Sequence, residues 1–305
     1  MFSACTKDIV VDVPDPEPAI VVEGSIEPGR PPIVMLTKNS AFFGGIDVND
    51  IASYFINDAI ITVWTNTDTV TLNEWCTDAL PDSLKRQVAA EMGFNFNNDP
   101  QNIGTSPIPN ICVYTVSDIF SLTPQFVGQE KKTYHLRIET GGKTLTSSTY
   151  IPGIAPLTLS WRPHPNQIDS LATVVATVVD PDTAGNRVRY LTQRQGEPMY
   201  RPISGSVYDD AIFVSGSQYD LPLERGQDPQ VDIDLDTYSY FWRGDTVRIK
   251  WSTIDRATYE FWYSLESDAG SSPFSSPVKI KTNITGGLGI WAGYGTYNAE
   301  IIIPQ

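Results

Sequence analysis

The sequence predicts a mainly β protein with two β-sandwich-like domains of the Ig-like or Greek-key type. One helix is inserted in the first domain and one amphipathic aromatic helix in the second. Three observations predict this. Short apolar and β-branched runs recur from Ala19 onward between clusters of Gly, Pro, Asn and Asp. Just two segments exchange the strand period of two for helical spacing. The stretch "IPGIAPL", Ile151 to Leu157, divides the strands into two sets. At 305 residues and 41% apolar content, the chain is long for one sandwich and sufficient for two cores. The expected organisation is a tether over 1–18, a first domain over 19–152, and a second over 153–305 with its helix near 254–268.

In the first domain "AIVVEGSI", "PPIVMLT", "AIITVWTN" and "TVTLNEW" read as successive strands, and "ICVYTVS" and "TYHLRIET" follow after an interruption. In the last of these Tyr134, Leu136 and Ile138 share one face while His135, Arg137 and Glu139 share the other, as in a sheet with one wet side. "ETGGKTLTSSTYIP" is a hairpin whose Gly141 and Gly142 supply the positive φ of a tight turn. The interruption is a helix, "LPDSLKRQVAAEMGF", capped by Asp82 or Ser83, with Leu84 and Val88 on one face and Gly93 as its stop. The long irregular "NFNNDPQNIGTSPIPN" follows.

In the second domain "TLSW", "LATVVATVVD", "NRVRYLTQ", "AIFVSGS" and "DTVRIKW" read as strands, Val247, Ile249 and Trp251 facing opposite to Arg248 and Lys250. "STIDRATYEFWYSLESDAG" places Tyr259, Trp262, Tyr263 and Glu266 at helical spacing, an aromatic stripe against the sheet. "PVKIKTNITGGLGIWAGYGTYNAEIIIP" closes the chain as two strands around a glycine-dense turn.

Thirty-six acidic residues against 21 basic ones give a net charge of -15, which disfavours nucleic acid, whose binding relies on Lys and Arg neutralising phosphates. No apolar run is long enough to span a bilayer as a helix. Cys5, Cys76 and Cys112 are odd in number, so one thiol is expected to have a separate job. Phe2, Ser3, Ala4 and Cys5 resemble the end of a bacterial lipoprotein signal peptide, which makes Cys5 the expected site of a covalent lipid and the start a trimmed or misassigned one. The alternative is an N-terminal tail with an incidental cysteine. Residues 6–18 alternate acidic residues with Pro14, Pro16 and Pro18, the composition of an extended, solvated tether. In an oxidising compartment Cys76 and Cys112 are either a disulfide or two buried thiols.

The lipid-type cysteine, the acidic linker, "VVEGSIEPGRPPIVMLT", the aromatic helix and "SSPFSSPVKIKTNITGGLGIWAGY" together resemble an uncharacterised domain-of-unknown-function family of Bacteroidota outer-membrane lipoproteins. The most specific stretch runs from Tyr259 to Tyr294, through Pro273 and Pro277 to Asn283, Gly286, Gly287, Gly289 and Gly293. The resemblance implies a surface-exposed, lipid-anchored location and a β-barrel partner, a TonB-dependent (SusC-like) transporter. It supplies no catalytic residues.

Chemistry is sparse. There is no G-x-S-x-G elbow, and His135 and His164 are the two histidines. "SPVK" has the spacing of an acyltransferase motif but sits in a segment that reads as loop and strand. Cysteines and histidines never cluster at zinc spacing. Asp180, Asp182 and Asn186 are a weak calcium candidate against a plain Asx turn. Trp291, Tyr294 and Tyr297, among glycines, are a candidate ligand or partner surface, with core packing as the alternative. The expectation is thus non-enzymatic: an accessory or ligand-capture subunit of an outer-membrane complex, without cofactor. A structural, adhesion or envelope-assembly lipoprotein is the second reading, and a surface glycan or peptide hydrolase the third.

Overall fold

The computed structural model describes residues 19–39, 51–79, 85, 110–118, 121, 123–166, 168–179, 184–209, 216–229, 231–269 and 279–305. The chain is mainly β, with open sheets and two helices. Cys5 and the tether, Asp180, Asp182, Ser276 of "SPVK" and, apart from Lys85, the expected helix of the first domain lie outside the described residues. So does most of the strand expected at "AIFVSGS".

The first half supplies β1 (Ile20–Ile26), β2 (Ile33–Lys38), a single turn α1 (Ile51–Tyr54), β3 (Ile60–Trp64), β4 (Thr69–Cys76), β5 (Cys112–Thr115), β6 (Lys132–Thr140) and β7 (Lys143–Ile151). The second supplies β8 (Thr158–Pro163), β9 (Leu171–Val179), β10 (Arg187–Arg194), β11 (Val207–Asp209), β12 (Gln218–Leu223), β13 (Phe241–Trp242), β14 (Thr246–Ile254), helix α2 (Arg256–Ala269) and β15 (Leu288–Ile302).

Eleven strands form one sheet in the order β11-β10-β14-β15-β1-β2-β5-β4-β3-β6-β7. Alternation explains the faces. Val22, Gly24 and Ile26 of β1 are buried, whereas Glu23 between them faces out. Tyr134, Leu136 and Ile138 of β6 are buried as the period of two requires. The smaller sheet centres on β9, flanked by β8 on one side and by β12 and β13 on the other. Its sequence LATVVATVV is apolar almost throughout because most of its side chains are buried on both faces.

β15 is the strand on which both halves depend. Its first six residues pair in parallel with β1, Leu288 to Gly293 alongside Val21 to Ile26. From Tyr294 to Ile302 it pairs antiparallel with β14. β7 crosses it closely: Gly293 N–H donates to Thr149 Oγ1 at 2.7 Å, and a Cβ at Gly293 would lie 2.8 Å from the Tyr150 carbonyl oxygen. One core gathers Val22, Leu36, Ile61, Tyr114, Leu136 and Leu145 around Trp291, with Ile284 at its edge. A second gathers Val174, Tyr190, Phe241, Ile249 and Trp251 between the β8-β9-β12 layer and β10-β14-β15.

Two expectations change. The segment before the glycine-dense turn is not a strand: Asn283 accepts from Trp291 N–H at 2.9 Å and donates to the Trp291 carbonyl at 2.7 Å, so one side chain takes the place of a neighbouring ladder. On α2 Thr258, Phe261 and Ser264 are buried and Tyr259, Trp262 and Leu265 partly so, whereas Tyr263 points outward and stacks on Tyr259 at 5.7 Å.

Candidate functional site

Trp291 does not belong to a surface. Its ring is fully buried, its indole N–H donates to the Tyr134 carbonyl at 3.0 Å, and a Cβ at Gly24 would meet it at 2.7 Å. Tyr294 is buried under α2 and accepts from Trp262 Nε1–H at 2.8 Å, while Tyr297 packs half-buried on the second core. The expected aromatic platform is therefore core, because β15 is central to the sheet rather than an edge. Asn186 follows a turn ahead of β10. Cys76 and Cys112 are opposite partners of β4 and β5, joined by a disulfide that closes a 36-residue span. Glu74 lies beside them, but sulfurs bonded to each other are spent as metal ligands. His135 stacks on Trp64 and His164 meets Tyr240 edge-on, and among the described residues neither imidazole hydrogen-bonds to a nucleophile or a carboxylate.

Two polar clusters stand out. The first lies on the face where α2 covers β10, β11 and β15. Arg189 of β10 stacks on Trp262 at 3.6 Å, donates to Ser206 at 3.0 Å and lies 4.0 Å from Glu266. Glu266 in turn accepts from both Ser206 N–H and its hydroxyl. Lys250 pairs with Glu27 at 2.5 Å. Glu23 opens to solvent yet stands among many protein atoms. That desolvation raises its carboxyl above the ordinary range, and the Arg189 charge partly opposes it. Burial likewise raises the Tyr294 phenol. These groups are held by one another, so the cluster reads as the polar seam under a helix.

The second cluster surrounds β13. Trp242 is flanked by two guanidiniums, Arg194 and Arg225, each 4.6 Å from its ring. Arg194 grips Asp245 through two bonds of 2.7 and 2.9 Å and reaches Glu197 at 3.2 Å. Beside it Arg243 lies over Trp161 at 5.1 Å and ties down the carbonyls of Pro304 and Gln305. The loop leading into β13 exposes Val231, Ile233 and Leu235 at 58%, 49% and 78%, interleaved with Asp232, Asp234 and Asp236. Three large apolar side chains within five residues, each about half or more in water, form a patch rather than a scattered exception. The loop is built rather than loose: the Asp234 carboxylate accepts from Asp236 N–H and the Thr237 hydroxyl.

Sequence reading missed this end of the molecule. The alternating "VDIDLD" was a visible signal, but it resembles an ordinary half-buried strand, and that none of the described strands pairs with it is a tertiary fact. The charge on Trp242 had no sequence signal, since Arg194, Arg225 and Trp242 come from three segments.

A family described as a domain of unknown function (DUF4249) matches residues 6–299, and the chain belongs to that family. No curated protein matches it.

Proposed function

We propose that this member of the family is a lipid-anchored, surface-exposed accessory subunit of a Bacteroidota outer-membrane complex, with a TonB-dependent β-barrel transporter as its partner, and that it works by binding rather than catalysis. The observation that carries this reading is the placement of two ends. The anchor-bearing segment enters the fold at Ala19, fixed by reciprocal bonds with Asn39, beside the start of β15. The apolar loop leads into β13, which closes against the other end of β15: Gly244 N–H donates to the Ile303 carbonyl at 2.8 Å, and Ile303 N–H to the Asp245 carbonyl at 2.9 Å. A strand of this length covers roughly 45 Å. An anchor at one end and an uncovered apolar loop at the other suit a subunit that reaches a protein standing above the membrane. Aspartates between the apolar residues suit a protein surface better than an anionic lipid layer.

Affinity isolation of the full-length native protein from solubilised outer membranes is expected to recover a barrel protein, and intact-mass spectrometry to show an acylated Cys5. Repeated isolation without a barrel, or an unacylated terminus, overturns the reading.

A further inference from the structure

Among the described residues Arg225 is a cation without a paired counter-ion. Its guanidinium lies on the Trp242 ring, half-buried, and no hydrogen bond or ion pair to its side chain is found among the described residues; its Nε is buried with no acceptor. Such an orphan is costly, since a buried donor forfeits its bonds to water.

The nearby carboxylates do not answer it. Asp245 accepts two bonds from Arg194 and a third from Trp242 N–H, and Glu197 also pairs with Arg194. Glu224, the preceding residue, accepts from Ile203 N–H and Ser204 N–H. Asp228 accepts from the Tyr200 hydroxyl. Each of these four carboxylates is committed elsewhere, and the like charge of Arg194 on the same ring adds to the burial that lowers the Arg225 pKa.

The backbone that carries Arg225 is rigidly placed. Glu224 N–H donates to the Tyr190 hydroxyl at 3.1 Å, Arg225 N–H to the Ser239 carbonyl at 3.2 Å, and Gly226 N–H to Thr192 Oγ1 at 2.7 Å. Three successive anchors and a stacked indole fix the guanidinium before any ligand arrives, which lowers the ordering cost of binding. Because Nε is sealed in, the terminal Nη pair is the edge left for a ligand.

We propose that Arg225, stacked on Trp242, is a binding site for the oxyanion of a small ligand, a carboxylate or a phosphate, received end-on by its two terminal nitrogens. Guanidinium geometry matches both groups with two parallel charge-assisted bonds. The proposal does not rest on the anchored-subunit reading, because it concerns the folded chain alone.

The test is a titration of the purified full chain with sodium phosphate and, separately, sodium acetate, at constant ionic strength maintained with chloride. Tryptophan fluorescence and the arginine side-chain N–H resonances are followed. Saturable binding that moves the Arg225 signal is expected, weakened about tenfold or more in Arg225→Gln and unchanged in Arg243→Gln, the change expected from losing a charge-assisted pair. A response to acetate alone assigns a carboxylate ligand, and a response to phosphate alone a phosphorylated one. No saturable response to either salt, or one that persists undiminished in a folded Arg225→Gln, overturns the proposal. Should that variant fail to fold, the Arg225 resonance of the unmodified chain still decides, since its immobility across both titrations is equally fatal.

Discussion

Two fully buried tryptophans show how differently the halves of this protein are closed. Trp251 fills a core drawn from residues 157–303, so its neighbours and its own strand belong to the same stretch of chain. Trp291 fills a core otherwise built from residues 22–151 and 284, and it arrives from the last strand. Their indole nitrogens differ too: Trp291 donates to Tyr134, whereas Trp251 Nε1 has no partner. The first half is therefore incomplete until the end of the chain has been made, while the second is nearly self-sufficient. A late, long-range element of this kind carries a large loop-closure cost that its burial must exceed.

Replacing Trp291 breaks this comparison most directly. Trp291→Ala is expected to cost about 3–5 kcal/mol in chemical denaturation, with hydrogen-exchange protection lost first across 20–151. Loss confined to the second half would show that the first closes without it. Next is the disulfide, which lies entirely within the first half. Reduction, or Cys76→Ser with Cys112→Ser, is expected to cost roughly 3–4 kcal/mol from the loop-length relation for its 36-residue span. The same change should leave protection of β9 and β10 largely intact.

The seam between the halves comes third. Asp255 caps α2 by accepting from Thr258 N–H at 2.8 Å, and also accepts from the Thr149 hydroxyl and Tyr150 N–H, each at 3.1 Å. Asp255→Ala is expected to cost about 1–2 kcal/mol, the range of a lost cap, and to lower the cooperativity of unfolding. Two separate transitions in the variant against one in the parent would identify Asp255 as a coupling residue.

Glu23, in the same seam, gives a pH dependence of smaller size. Its folded carboxyl is raised above the ordinary 4.5, so the native state holds its proton more tightly than the unfolded chain does. Its contribution to stability therefore falls as pH rises through 4.5 toward the raised value. Glu23→Gln should stabilise the protein above that window and converge with the parent in acid, as read from denaturation midpoints across pH. A gain that persists unchanged in acid would reject desolvation as the cause. The smallest stability effect is expected at the apolar loop. Leu235→Ser should alter stability by about 0.5 kcal/mol or less in denaturation, since the side chain is 78% exposed, while weakening affinity capture of the proposed barrel partner.

Much of the strand content was legible. In "TYHLRIET" the alternation correctly placed Tyr134, Leu136 and Ile138 inside, and Gly141 and Gly142 do adopt the positive φ a tight turn needs. The helix over 256–269 was legible from its aromatic spacing, but its buried face was not. Tyr263, expected against the sheet, points outward, and Phe261, outside the expected stripe, is buried, because packing of the helix against β10, β11 and β15 selected the face. Trp291, among glycines, resembled an exposed platform for the same reason. Glycines that permit close backbone packing and glycines that open a surface look alike in sequence.

By itself the sequence determined the β character, the acidic composition and the position of the second helix, because these follow from composition, period and local chain preference, whereas the choice between a disulfide and two thiols at Cys76 and Cys112 waited for the pairing of β4 with β5. Only the tertiary structure decided that the last strand pairs with the first and that Trp291 plugs the distant core. Those outcomes depend on which segments meet across more than a hundred residues. A side chain's neighbours in such contacts are set by packing between segments, which no local pattern encodes.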